Sequence, residues 1–307
     1  VVAIDSALIG PFDLGVVVVR SAIRLDPQTA RASVDSQGSD PIPHILAGIP
    51  IHLRDIRVYL DRPGFTVNGT SCDPTRVSSL LGGAGADPFS TADDTTAAST
   101  QRYQLLNCSV LGFKPRLAFR LRGGTHRGSL PALNATYTPR PGDANLKAVA
   151  VTLPPSLFLE QGHINTVCTR VQFRNEACPA GSVYGRARAI TPLLEEPLEG
   201  PVYLRSSSHA LPDLVADLHG RGIRIEVAGR IDSVHEGIRA SFEGLPDAPV
   251  TKFTMSLPGG RHGLLAVAAT NLCASPQRAN ARFTAQSNAT EVTHPVLKAK
   301  CKKRRRR

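Results

Sequence analysis

The chain has 307 residues, of which 41% are hydrophobic and 5% aromatic, with 26 Gly, 24 Pro, one Met and no Trp. That length supports one to two domains with sizeable cores, and a Val-, Thr-, Gly- and Pro-rich composition favours short strands and turns over helices. The formal net charge of +11 is local, since eight cations fall in the last ten residues and leave a nearly neutral body, and no apolar run reaches the ~20 residues of a membrane-spanning helix.

In chain order, Ile9-Gly10-Pro11-Phe12-Asp13 is a turn-rich opening, and the first residue is Val, which predicts a processed form or a cut piece with a signal peptide upstream. Val16 to Leu25 is a strongly β-branched strand. Leu81 to Gln101 is rich in Gly, Ala, Ser, Thr and Asp, with little apolar surface to pack, and reads as a mobile loop over 81–101 tethered by a disulfide. Its Asp93-Asp94 pair lacks the further oxygen ligands of a calcium loop.

Arg116-Leu117-Ala118-Phe119-Arg120-Leu121-Arg122 is an amphipathic strand with Leu117, Phe119 and Leu121 inward and Arg116, Arg120 and Arg122 outward. Such a basic face is either solvated or an anion site. Leu133, Ala135 and Tyr137 mark the next strand and Leu146 to Leu153 another, and Pro154 to Gln161 is a connector or helical turn.

The stretch from Gly222 to Cys273 sets the pattern of the chain. Ile223, Ile225 and Val227, then Ile238, Ala240 and Phe242, then Phe253, Met255 and Leu257 alternate as in half-buried strands. Turn residues separate them, so the segment reads as an antiparallel meander with a further hairpin at Pro258-Gly259-Gly260. Val16 to Cys72 carries a second copy: Arg24-Leu25-Asp26 falls on Arg230-Ile231-Asp232, and Ala32-Ser33-Val34 falls on Ala240-Ser241-Phe242. Ile49-Pro50-Ile51 falls on Ala248-Pro249-Val250, and both copies end in Thr and Cys, at Thr70 to Cys72 and Thr270 to Cys273. This predicts tandem β domains with a repeat of about two hundred residues. The domains expected are 1–112, a closing half-repeat whose opening half is missing, 113–301, a complete β-sandwich repeat, and 302–307, a disordered basic tail.

Six cysteines, Cys72, Cys108, Cys168, Cys178, Cys273 and Cys301, form no CxxC and allow fifteen pairings. The least demanding is sequential, Cys72 with Cys108, Cys168 with Cys178 and Cys273 with Cys301, and the repeat supports it because Cys72 and Cys273 hold the same place. Disulfides imply an oxidising, extracellular compartment. Asn68, Asn107, Asn134 and Asn288 begin glycosylation sequons, which matter only in a eukaryotic secretory pathway.

Cys178-Pro179-Ala180-Gly181-Ser182-Val183-Tyr184-Gly185, followed by Pro192-Leu193-Leu194-Glu195-Glu196-Pro197-Leu198-Glu199-Gly200-Pro201-Val202-Tyr203-Leu204, resembles the repeating core of large, uncharacterised secreted proteins of actinobacteria. The resemblance covers most of 113–307 and the meander half in 15–72. It implies a secreted location, tandem β-rich repeats and a basic C-terminus, and brings no catalytic residues.

No nucleophile elbow, P-loop, dinucleotide fingerprint or HExxH is present. The histidines, His44, His52, His126, His163, His209, His219, His235, His262 and His294, are scattered and suggest no metal site. Ser206-Ser207-Ser208-His209 with Asp213 reads as a turn, because neighbours on a strand point to opposite faces. Glu195, Glu196 and Glu199 sit on one turn and do not face each other across a cleft as glycoside hydrolysis requires. The cations Lys298, Lys300, Lys302, Lys303, Arg304, Arg305, Arg306 and Arg307 form a polyanion contact without sequence-specific nucleic-acid recognition.

The sequence thus predicts an all-β protein of tandem antiparallel Greek-key or sandwich-like domains with disulfides, acting without a cofactor as a secreted structural or adhesive component of the cell envelope or matrix. Its expected partners are itself or other envelope proteins through exposed strand edges, and anionic wall polymer. An extracellular polymer-binding module or hydrolase, with its site around Glu195 to Glu199 or Arg116 to Arg122, is the alternative, and polyanion binding through the tail is the third reading.

Overall fold

The structure, a computed structural model, describes residues 2–5, 16–36, 42–51, 56–57, 59, 67–83, 95–234 and 237–301. The chain divides into two compact units, one of Val1–Leu25, Arg31–Asn68 and Asp73–Leu106 and the other of Asp26–Ala30, Gly69–Cys72 and Asn107–Arg307.

The described residues of the first unit form four antiparallel strand pairs: β1 (Val2–Asp5) with β2 (Val16–Val19), β3 (Ala22–Leu25) with β4 (Ala32–Asp35), β5 (Ile45–Leu46) with β6 (Ile49–Pro50), and β7 (Thr75–Gly83) with β8 (Thr95–Tyr103). The single strand expected over Val16 to Leu25 is therefore two strands belonging to different pairs. The loop expected over 81–101 is corrected in its described part. Residues 81–83 and 95–101 are paired backbone in β7 and β8, because Thr and Ser satisfy a ladder well even with nothing to pack against, and their side chains are almost all exposed. Residues 84–94, with the Asp93-Asp94 pair, lie outside the described residues.

In the second unit the strands are β9 (Arg116–Arg122), β10 (Ala132–Thr138), β11 (Leu146–Thr152), β12 (Leu157–Leu159), β13 (Val183–Ile190), β14 (Leu198–Arg205), β15 (Asp213–Gly220), β16 (Ile223–Val234), β17 (Gly237–Phe242), β18 (Lys252–Leu257), β19 (Leu265–Val267), β20 (Asn280–Ala285), β21 (Thr290–Thr293) and β22 (Leu297–Ala299). Twelve of them form one sheet in the order β21-β20-β11-β17-β16-β15-β14-β13-β18-β10-β9-β22, antiparallel except for the parallel pair β22 and β9. β12 and β19 pair separately.

The sheet curls on itself. Phe113 and Tyr137 pack with Ala281 and Phe283 across the interior, and the Tyr137 and Phe283 rings lie 6.3 Å apart. The segment before β22 also bonds to the segment before β20, with Leu297 N–H donating to Gln277 at 2.8 Å and Ala279 N–H donating to Pro295 at 3.0 Å. Inward residues of β13 to β16 and β18, among them Val202, Leu204, Leu218 and Met255, make a further core cluster. Each full burial such as that of Phe283 or Leu157 contributes about 1.5–3 kcal/mol.

The all-β class expected from the alternation is what the structure has. The meander is corrected at its third strand: β16 and β17 form the expected hairpin, but β18 crosses the unit to lie between β10 and β13. The stretch after Pro258 is a 3-10 turn leading to β19, which pairs with β12 instead of β18. Alternation places a strand half in and half out, and it carries no instruction about which neighbour the strand will find.

The two stretches aligned in sequence pair in one shared register: Ile23, Arg24 and Leu25 face Val34, Ser33 and Ala32, and Gly229, Arg230 and Ile231 face Phe242, Ser241 and Ala240. The two aligned acids do different work. Asp26 accepts the N–H groups of Gln28 and Thr29 to close a turn, whereas Asp232 accepts from the Arg230 and Arg239 guanidiniums.

The three disulfides are Cys72–Cys108, Cys168–Cys178 and Cys273–Cys301. Residues 69–72 are also pinned by one carboxylate: Asp247 accepts from Thr70 N–H, Thr70 Oγ1, Ser71 N–H and Asn145 Nδ2. No helix among the described residues is long and apolar enough to cross a membrane.

Candidate anion-binding face

The site begins with β9. Its burial alternates, so Phe119 and Leu121 are buried while Arg116, Arg120 and Arg122 stand outward. β22 repeats that alternation beside it, with Leu297 buried and Lys298 exposed, and the parallel register places Lys298 opposite Arg120. Two anchors fix this register. Leu297 packs among Phe119, Leu121 and Leu133, and Cys301, two residues beyond β22, is bonded to Cys273.

From β9 the outward face runs across the sheet. Arg120 is opposite Asn134 on β10, Asn134 is opposite Ser256 on β18, and Ser256 is opposite Arg186 on β13. In the next row Ala118, Thr136, Thr254 and Arg188 follow one another in the same order. The first row is tied internally, because Ser256 Oγ donates to Asn134 Oδ1 at 2.5 Å.

The electrostatics of this face are one-sided. Arg188 is paired with Glu199 of β14 at 2.9 Å. Among the described residues, no carboxylate pairs with Arg116, Arg120, Arg122, Arg186 or Lys298. Unpaired guanidiniums and an ammonium on a flat, wet surface attract anions over about a Debye length and release counterions when one binds. Lys300 is exposed just beyond β22, while Lys302, Lys303, Arg304, Arg305, Arg306 and Arg307 lie outside the described residues.

The other groups singled out in the sequence take structural parts. Glu195 and Glu196 both pair with Arg221, at 3.2 and 3.4 Å, and their side chains are 89% and 64% exposed. With Glu199 held by Arg188, the three acids stand on open surface against arginines. His209 and Asp213 do meet, Nε2 to Oδ1 at 2.9 Å, but no serine completes a triad. Ser207 Oγ donates to the Leu211 carbonyl, Ser206 Oγ accepts from Arg170 N–H, and His209 Nδ1 is buried without a partner. Among the described residues no group of three or more His, Cys, Asp and Glu is placed to hold a metal ion.

One cluster was not read from the sequence. The helix α1 (Arg170–Arg174), capped by a reciprocal Thr169 and Gln172 pair, lays Phe173 over β14 to β16. The Arg205 and Arg224 guanidiniums flank the Phe173 ring at 5.1 and 5.2 Å. Arg224 in turn binds buried Asp217 at 2.7 Å, as well as Glu176 and Glu226. Arg205 likewise pairs with Asp213 and Glu226, so the network clamps α1 to the sheet.

The Arg186 and Arg188 half of the cationic face was also missed, although Arg186-Ala187-Arg188-Ala189 shows the alternation that exposed the β9 arginines. What the sequence lacked was the crossover of β18, which brings β13 and β9 onto one face with two strands between them. Comparison of the chain with known protein families, curated proteins and solved structures finds no match.

Proposed function

We propose that the protein is a non-catalytic, secreted adhesive or structural component that holds an anionic polymer of the cell surface or matrix on the outward face of β22, β9, β10, β18 and β13. The observation that carries this reading is the placement of Lys298 beside Arg120, in a row that continues through polar side chains to Arg186 without a carboxylate. Three disulfides support an extracellular setting. The exposed, arginine-paired state of Glu195, Glu196 and Glu199 favours binding over hydrolysis.

The test is binding of the full chain to polygalacturonate, inorganic polyphosphate and neutral dextran across a salt series. Both anionic polymers should bind and dextran should not, with affinity falling as salt rises. Arg120→Ala with Lys298→Ala should flatten the log–log salt slope by roughly 0.7 per cation removed. Equal binding to dextran overturns the reading. So does loss of all binding on deleting 302–307 with none on changing the face, which would leave the tail as the whole contact.

A second reading, self-assembly through the proposed half-repeat, has its own observation. Ile23 and Val34 of the β3–β4 hairpin are 68% and 70% exposed, whereas Phe242, which holds the place of Val34 in the same-register hairpin, is half-buried. Light scattering on the chain and on an Ile23→Lys, Val34→Lys variant tests it: an oligomer that becomes a monomer supports assembly, and two monomers refute it.

A further inference from the structure

Resting on the polyanion reading, the geometry points to a narrower ligand: we infer that the outward face is a shallow trough for one extended chain of an acidic polysaccharide, a polymer carrying both carboxylates and hydroxyls. The rims are arginines. Arg116, Arg120 and Arg122 line one side and Arg186 the other, next to Arg188 whose charge is met by Glu199, on strands separated by β10 and β18. Three inter-strand steps of about 4.8 Å set the rims roughly 14 Å apart. The six residue-to-residue rises of extended strand from Arg116 to Arg122 make the trough about 20 Å long.

The floor decides the ligand class. Over the two middle rows its outward side chains are short and neutral, Asn134 and Thr136 from β10 and Thr254 and Ser256 from β18, while in the row of Arg116 the floor ends on Thr138 and the exposed Lys252. Long guanidinium side chains therefore flank a lane of hydroxyl and amide groups that both donate and accept hydrogen bonds. A polymer that fills the lane must offer hydroxyls or similar groups downward and negative charges sideways, which is the chemistry of a uronic-acid chain. Polyphosphate satisfies the rims and brings no hydroxyl to the floor. A single-stranded nucleic acid binds by stacking its bases on aromatic platforms, and these floor positions hold none. Rim and floor thus make separable contributions, charge from one and hydroxyl recognition from the other.

The experiment uses the full chain at 150 mM salt and three protein forms: the natural sequence, a rim variant Arg120→Ala with Arg186→Ala, and a floor variant Thr136→Val with Thr254→Val. The probes are polygalacturonate and inorganic polyphosphate of matched charge. Circular dichroism melts confirm that each form is folded, and Ser256→Ala serves as a second floor variant if the valines lower the melting temperature. The natural chain should prefer polygalacturonate by about tenfold, the worth of one or two net hydrogen bonds. The rim variant should lose about tenfold or more on both polymers. The floor variant should lose about tenfold on polygalacturonate and nothing on polyphosphate. Equal affinity of the natural chain for the two polymers, or a floor variant that binds polygalacturonate as the natural chain does, overturns the trough while leaving the cationic face standing. Failure of both polymers to bind the natural chain removes the polyanion reading and the trough with it.

Discussion

Replacing Asp247 by Ala should destabilise the second unit by about 3–5 kcal/mol, and the figure follows from its partners. The carboxylate accepts from Thr70 N–H at 2.7 Å, Ser71 N–H at 2.8 Å, Thr70 Oγ1 at 2.9 Å and Asn145 Nδ2 at 2.8 Å. A hydrogen bond to a charged group is worth about 1.5–3 kcal/mol, so four of them sum well above the expected loss. The sum is reduced because the site is only half-buried and water can reach some of the donors left behind. The Thr70 hydroxyl also keeps its bond from Asn145 N–H at 2.8 Å. Asp247→Asn should cost less, about 2 kcal/mol, since one oxygen still accepts two bonds while the amide NH2 opposes the other two donors. Urea unfolding of the three proteins measures the differences, and amide exchange at Thr70 and Ser71 locates them. A loss below ~0.5 kcal/mol for Asp247→Ala, with both amides still protected, would show that the Cys72–Cys108 bridge alone holds 69–72 in place and would refute the reasoning.

Changing Cys273 and Cys301 together to Ser should cost about 3 kcal/mol by freeing the unfolded chain, and should lower affinity for polygalacturonate at temperatures where the protein is still folded, because β22 is then held beside β9 by its short ladder and the packing of Leu297 without the covalent anchor; calorimetry and binding read the two effects separately. Asp217→Ala leaves Arg224 beneath α1 with Glu176 and Glu226 only, and should cost about 3 kcal/mol in urea unfolding with polymer binding unchanged. Stability should fall in acid. Burial raises the Asp143 carboxyl, but the Arg140 guanidinium and Lys114 N–H outweigh it and hold it below the usual range, and Arg230 and Arg239 do the same for Asp232. A carboxyl whose folded pKa is depressed contributes stability that is complete above its unfolded value of about 3.9 and is lost as pH falls through the folded one. Melting temperatures followed from pH 5 downward should therefore drop, and drop less in Asp143→Asn with Asp232→Asn.

Much of the molecule was determined by local chemistry and was therefore legible in the sequence. Period-two alternation requires half-buried strands wherever they end up, so Arg116 to Arg122 and Ile238 to Phe242 were strands before any partner was known. The sequential disulfides follow from spacing that suits short loops, and the pairing of β16 with β17 follows from a pattern in which a one-residue slip would turn Ile231 and its apolar neighbours to water. Neighbours across the sheet were decided elsewhere. That β18 leaves β17 to sit between β10 and β13, and that β22 returns parallel to β9, depends on which curled arrangement buries Phe119, Phe283 and Met255 at once, a condition on the whole unit that no stretch of sequence states. The cationic face is a product of that condition: its arginines are outward because their neighbours on each strand are apolar, but they share one surface only because packing the interior brought β13, β18, β10, β9 and β22 side by side.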